Sequence, residues 1–242
     1  MLKAENISKK YKHEVLNGVS FSAKGGEIVG IAGENGSGKS TLLSVMTGAA
    51  RPEAGRVLVE GEDIAKNPRA LRKWVGYVPQ EDSLFGNLSA RDNLKLWAAA
   101  YGADWKNALP YLFPEPNGET EIFLRKKADA LSGGMRKRLS IALSLTHSPR
   151  YLIMDEPTAG LDIGFKWELM KTVREMSARG HCVIFTSHQP DELLQCDRLY
   201  VLRGGAFVYA GDPKALCGGE PGFGEALFTL IKARDAAERL AV

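Results

Sequence analysis

Three groups of residues in this chain carry types that do phosphate chemistry. They are Gly33-Glu34-Asn35-Gly36-Ser37-Gly38-Lys39-Ser40-Thr41, Leu131-Ser132-Gly133-Gly134-Met135, and the pair Asp155-Glu156 closing the run Tyr151-Leu152-Ile153-Met154. Glycines at 33, 36 and 38 allow a loop to curl and aim successive N–H groups inward, an anion nest. Lys39 supplies a point charge for terminal phosphates, and the Ser40 hydroxyl a hard oxygen for Mg²⁺. Asp155 suits a metal, directly or through water, and Glu156 suits proton removal from an attacking water. The two point to opposite faces provided the strand continues through them. Alone, a carboxylate pair before Pro157 reads as a helix N-cap; beside a phosphate loop it reads as metal ligand and base. Ser132 with two glycines at a helix start makes a second anion nest, with Ser132 as N-cap. An ordinary capped helix is the plain alternative, and it leaves the double glycine without a reason. One ATP cannot engage both nests on different lobes of one chain. The pattern therefore points to a head-to-tail pair, each copy covering the other's phosphate loop.

These groups need elements to hold them. Glu27–Ala32 is apolar and β-branched, a buried strand that empties into the glycine loop, and 40–46 has helical spacing. That strand-loop-helix context disfavours a chance glycine-rich turn. Cys182–Thr186 is another strand; His188 just beyond it sits at a sheet's carboxyl edge, where ligands bind. His13, His147 and His181 read as packed or solvated side chains. Short strands in 1–32 and 55–61 predict a β flank on the nucleotide core. Ser89-Ala90-Arg91-Asp92 predicts a capped helix through Tyr101. Residues 104–130 read as helix interrupted at Pro110, Pro114, Pro116 and Asn117-Gly118. A helix is expected near 163–178, a hairpin over Arg198–Tyr209 turning at Gly204-Gly205, a flexible break from Gly218 to Gly224, and a last helix over about Glu225–Leu240. The division is a core with β flank (1–80 and 148–213), a helical lobe carrying the serine–glycine loop (81–147), and a helical tail (214–242).

Composition sets bounds. The chain has 242 residues and a formal charge of +3, with no basic block, so nucleic acid is not expected as a partner. Cys182, Cys196 and Cys217 match neither a metal pattern nor a disulfide framework, which predicts a reducing compartment. No signal peptide and no apolar run near twenty residues is evident, so any membrane pore must come from another polypeptide.

In this order, the three groups resemble the ATP-binding subunit of ATP-binding cassette (ABC) transporters, over Leu2 to about Pro213. The resemblance implies an α/β P-loop NTPase core, RecA-like, with a mainly parallel sheet and flanking helices, plus an antiparallel β flank and the helical lobe. It implies ATP and Mg²⁺ as cofactors, Tyr11 against adenine, Gln80 at the Mg²⁺ and water, Ala159-Gly160-Leu161-Asp162 as dimer-contact loop, and His188 at the γ-phosphate. It implies a second ATPase protomer (the same or a different chain), a separate integral-membrane permease, and a peripheral place on the cytoplasmic face. Leu84, Phe85 and Leu88 lie where the family's groove receives a permease helix; each singly also reads as core. Trp97 and Trp105 read as lobe packing. Met135 stands where the family most often has glutamine; with Arg136, Lys137 and Arg138 it is similar to export and lipid-handling members. Two other readings compete. A soluble ABC ATPase on nucleic acid or ribosomes lacks its tandem cassettes and basic arm here. A P-loop kinase or GTPase leaves the Leu131–Met135 loop unused.

Overall fold

The computed structural model describes residues 1–112, 118–216 and 222–232. Two sheets organise them. Strands β1 (Leu2–Lys10), β2 (Glu14–Ala23), β4 (Ala54–Val59) and β5 (Glu62–Asp63) form an antiparallel sheet ordered β2-β1-β4-β5. Strands β3 (Ile28–Gly33), β6 (Val75–Val78), β7 (Tyr151–Met154), β8 (Cys182–Thr186), β9 (Arg198–Arg203) and β10 (Ala206–Gly211) form the second, ordered β10-β9-β3-β8-β7-β6. From β9 to β6 the neighbours are parallel; β10 pairs antiparallel with β9. This is the mainly parallel sheet with an antiparallel flank that the family resemblance implies. The flank's first strands are not short, however: β1 and β2 run nine and ten residues. Their pairing shifts register past Ala4 and Ile7, with Asn6 at φ 51°, so bulges break the strict alternation by which a strand is recognised.

Every residue of β3, β7 and β8 is buried. Parallel strands covered on both faces read as continuous apolar runs. On one face Val29, Ile31, Ile153 and Ile184 pack with Leu42, Leu43 and Met46 of α1 (Lys39–Met46) and with the antiparallel sheet. On the other, Leu152, Met154, Val183 and Phe185 pack with Leu169, Met170, Val173 and Met176 of α7 (Ile163–Ala178). Truncating any of these leucines to alanine costs about 2–5 kcal/mol in a core of this kind.

A third cluster joins α3 (Ala90–Tyr101), α4 (Leu109–Leu112), α5 (Gly118–Arg125) and α6 (Gly133–Leu145) around Leu94, Leu112, Phe123, Leu139 and Leu143, with Trp97 and Trp105 packed against it. Ser89 caps α3, accepting the Asp92 N–H at 3.1 Å and donating to Asp92 Oδ2 at 2.6 Å. Helix α6 serves two clusters: Leu139, Ala142 and Leu143 face the other helices, while Ile141 and Leu145 join the sheet core. Pro110 lies in the first turn of α4, which starts anew after a 3₁₀ turn over Trp105–Ala108, so its missing N–H costs nothing. Pro114, Pro116 and Asn117 fall outside the described residues.

Helix α2 (Pro68–Trp74) leads into β6, and α8 (Pro190–Leu193) follows β8. The last helix, α9 (Phe223–Lys232), starts earlier than expected because Phe223 and Leu227 are buried against Ala32, Leu193, Leu199 and Val201. Phe223 and Gly224 are thus helical; residues 218–221 of the expected break and the stretch from 233 toward Leu240 fall outside the described residues. Cys182 and Cys196 are buried free thiols, both pushed up in pKa by desolvation; Cys217 is not described. No helix of the described residues is long and apolar enough to cross a membrane.

Candidate active site

Strand β3 delivers the glycine loop to the N-terminus of α1. Gly38 occupies the N-cap position at φ 104°, and a Cβ there would lie 2.9 Å from the Val15 carbonyl oxygen. Backbone angle and close approach both require glycine. No side chain caps α1 and its first turn holds no acid, so its N–H donors and positive dipole end face the cleft. Ser37 Oγ is buried without a hydrogen-bond partner. Lys39 is 5 % exposed, its ammonium donating to the carbonyls of Gly33 (2.9 Å) and Glu34 (3.0 Å). Burial pulls its pKa below the usual lysine range, while the nearby charges of Glu156 and Asp155 oppose that shift. The cleft in front, about 480 Å³, is lined by Val15, Asn35, Gly36, Gly38, Lys39, Ser40, Thr41, Gln80 and Glu156.

The carboxylates are separated by a device the sequence does not announce. The expected strand continuation through Asp155-Glu156 does not occur: β7 ends at Met154, and Glu156 turns into the left-handed region at φ 43°. A non-glycine residue there costs on the order of 1–3 kcal/mol and persists only where its surroundings fix it. Here Thr186 Oγ1, fully buried, accepts the Glu156 N–H at 2.8 Å and donates to Asp155 Oδ1 at 2.6 Å. Asp155 is 4 % exposed, and after burial itself its charge helps push the Tyr77 hydroxyl up to about 12. Glu156 instead reaches outward: His188 Nε2 lies 2.7 Å from its Oε1, and Gln80 Nε2 donates to its Oε2 at 3.4 Å. Gln80, Glu156 and His188 thus meet at one carboxylate.

The second nest stands apart. Ser132 Oγ caps α6, accepting the Met135 N–H at a long 3.4 Å, and Asp162 Oδ1 caps α7 through Phe165 N–H at 2.9 Å. A hollow of about 430 Å³ is lined by Ser132, Gly133, Gly134, Met135, Arg138, Gly160, Leu161, Asp162 and Phe165, none of which lines the first cleft. Gly134 has a reason within its own chain, since a Cβ would lie 2.8 Å from the Phe165 ring. Gly133 has none nearer than Leu161 at 3.8 Å, leaving its backbone open to the hollow.

Tyr11 is not among the residues lining either space; it lies 60 % exposed just after β1, with Lys9 Nζ 5.0 Å from its ring centre. Two residues with structural claims on the site escaped the sequence reading. One is Thr186. The other is Glu192, 5 % exposed, which accepts from Ser187 Oγ at 2.6 Å and Thr158 Oγ1 at 2.9 Å and so braces the loops that follow β7 and β8. A hydroxyl closing a buried strand and an acid two residues past His188-Gln189-Pro190 were the available signals.

Residues 16–159 match the family model described as ABC transporter. The chain is 39 % identical over 223 residues to the linearmycin resistance ATP-binding protein LnrL of Bacillus subtilis, covering 90 % of this chain and 71 % of that protein. It is 34 % identical over 229 residues to the lipopolysaccharide export system ATP-binding protein LptB of Acidithiobacillus ferridurans, covering 89 % and 92 %. It is 38 % identical over 223 residues to a Nod factor export ATP-binding protein I of Burkholderia orbicola, covering 90 % and 72 %. Among solved structures, an ATP-binding subunit of an ABC transporter superposes with a TM-score of 0.80 at 26 % identity, covering 100 % of this chain and 98 % of the other. The ATP-binding cassette MJ0796, in a dimeric post-hydrolysis state bound to ADP and Pi, superposes at 0.78 and 27 % identity, covering 88 % and 98 %.

Proposed function

This chain belongs to the ABC transporter family as an ATP-binding, ATP-hydrolysing subunit, and from that premise we propose how its residues divide the work. The phosphates of ATP lie on the nest of Gly33, Asn35, Gly36, Ser37, Gly38, Lys39, Ser40 and Thr41. The orphaned Ser37 hydroxyl, the uncapped helix and the buried Lys39 ammonium all call for an anion there. The donor set also fits Mg²⁺: one carboxylate (Asp155), one hydroxyl (Ser40) and the Gln80 amide, all hard oxygens, leave the remaining positions to phosphate and water. Asp155, Ser40 and Gln80 would hold the ion there, and it would supply positive charge against the charge that develops on the phosphates. Glu156 takes the proton of the attacking water. His188 and Gln80 hold its carboxylate toward the cleft, and His188 takes the γ-phosphate contact that the family resemblance implies. Ser132, Gly133, Gly134 and Asp162 of one protomer close on the nucleotide of the other. Tyr11 flanks the adenine, carried by the end of β1.

The observation that carries this reading is the Glu156 carboxylate, turned out of β7 by its backbone and gripped at 2.7 Å by His188 at the mouth of the glycine-loop cleft. Glu156→Gln tests it. ATP binding should persist while hydrolysis falls by about 10²–10⁴-fold, the usual contribution of a general base, and ATP should hold the variant as a dimer. Turnover near wild type would move the base elsewhere.

Beyond the catalytic unit, the proposal extends to export, the direction named for LptB and the Nod factor relatives, and to a separate membrane permease on whose cytoplasmic side the chain sits. We divide the chain into 1–80 with 148–213, 81–147, and 214–242. At the junction of the first two lies a cleft of about 500 Å³ lined by Leu71, Tyr77, Trp97, Tyr101, Leu143 and His147 among others. Phe85, 52 % exposed, offers an apolar side chain to that partner; Leu84 packs into the helical cluster instead.

A further inference from the structure

Lys137 is a buried ammonium for which the chemistry above has no use. It lies on α6, is 5 % exposed, and its Nζ meets three oxygens of one loop: the Gln80 carbonyl at 2.9 Å, the Pro79 carbonyl at 3.3 Å and Asp82 Oδ1 at 3.1 Å. The carboxylate contact is an ion pair rather than an aligned hydrogen bond, since Oδ1 has no hydrogen-bond partner. An ammonium has three donors, and a buried one without oxygens around it would lose its charge. The same Asp82 faces a second cation, with Arg136 Nε 3.7 Å from Oδ2. Arg136 in turn donates from Nη1 to the Leu131 carbonyl at 3.0 Å, immediately before Ser132. A continuous polar chain therefore runs from Glu156 through Gln80, Lys137, Asp82 and Arg136 to the start of the serine–glycine loop.

We propose that Lys137 is a positioning residue that ties the Gln80 loop to the helix bearing Ser132-Gly133-Gly134, so that each protomer's own ATP site governs the loop it offers to its partner's. The proposal rests on the two-protomer reading. Gln80 touches the base of its own protomer's site, whereas the α6 nest closes on the other nucleotide. A rigid link between them makes occupancy of one site a condition for closing the second. Lys137 works through Gln80 and Ser132 and touches no substrate.

The test uses the Glu156→Gln chain, which is expected to bind ATP while hydrolysing it about 10²–10⁴-fold more slowly. Two quantities are measured: the ATP Kd of dilute monomer, and the ATP concentration that half-dimerises the protein in analytical ultracentrifugation. Adding Lys137→Met should leave the monomer Kd within about twofold while raising the dimerising concentration by about tenfold, a typical coupling between sites. Lys137→Arg, which keeps a cation with several donors, should return it to within about threefold. Asp82→Asn, on a less buried side chain, should shift it in the same direction. Combining Lys137→Met with Gln80→Ala should add little to either alone, as for groups in series on one path, Lys137 meeting the Gln80 carbonyl and the Gln80 amide meeting residue 156. Dimerisation that is unchanged in Lys137→Met, or strict additivity with Gln80→Ala, sinks the link while leaving the two-protomer reading intact. An equal rise in monomer Kd would make Lys137 a support of its own site and also overturn the proposal. If Glu156→Gln itself never dimerises with ATP, the two-protomer reading falls and the link with it.

Discussion

In the proposed site Lys39 and Asp155 address the same bound molecule in different ways, and substitution separates them. There Lys39 would donate to phosphate; a charge-assisted hydrogen bond is worth about 1.5–3 kcal/mol, so Lys39→Ala should weaken ATP binding by roughly 10–100-fold. Asp155→Asn should keep nucleotide affinity and chiefly abolish the dependence of hydrolysis on added Mg²⁺. Isothermal titration with and without Mg²⁺ reads both, and normal ATP binding by Lys39→Ala would remove the phosphate-loop assignment. At this scale the sequence named the groups but not their aim. Lys39 and Ser40 are legible because their roles follow from position in a local motif. The aim of Glu156 is set by a positive φ and by Thr186 thirty residues away, and no local pattern encodes a contact at that distance. Gly134 shows the opposite error: part of the double glycine is explained by the Phe165 ring of the same chain.

Helix α6 is the element on which most of this account hangs, since it belongs to two cores at once and ends against a histidine. His147, next to its C-terminus, stacks on Tyr101 at 4.1 Å between centres and meets the Val75 carbonyl at 3.2 Å, while its Nδ1 is buried without a partner. Burial lowers its pKa below the ordinary 6.5. The unfolded chain therefore binds the proton first as pH falls through that value, and stability is lost from there down to the folded pKa. Melting temperature should fall more steeply for wild type than for His147→Phe between pH 7 and 5.5; parallel profiles would mean His147 carries no such linkage. A different element prediction concerns the start of the lobe. Phe85→Asp should leave ATP hydrolysis largely intact but release the protein from membranes containing its permease, read by co-sedimentation. Retention on those membranes would put the docking surface elsewhere. Fully buried strands and capped helices were the legible elements here, because parallel strands are uniformly apolar and Ser89 or Ser132 marks a start. The β1–β2 pair was less legible, its bulges erasing the alternation.

For the whole molecule, the glycine-loop cleft and the serine–glycine hollow share no lining residue, and the proposed function makes each an anion site. Family membership makes the chain an ATPase, and the similar cassette MJ0796 is dimeric; the claim particular to these residues is that Ser132 serves a nucleotide bound by another chain. The second serine–glycine nest itself was legible from the order of motifs, whereas the grip of Lys137 on the Pro79 and Gln80 carbonyls was not, since sequence does not display backbone contacts. Ser132→Arg puts bulk and charge into the second hollow without touching the glycine loop of the same chain. The most direct measurement is steady-state ATP hydrolysis by purified Ser132→Arg, with equilibrium ATP binding by dilute monomer as its control. Binding should stay within about twofold of wild type while hydrolysis falls by roughly 10²-fold or more, the loss expected when an interaction made only in the reacting complex is removed. Hydrolysis at the wild-type rate would show that one chain completes its own site and would contradict the shared-site account.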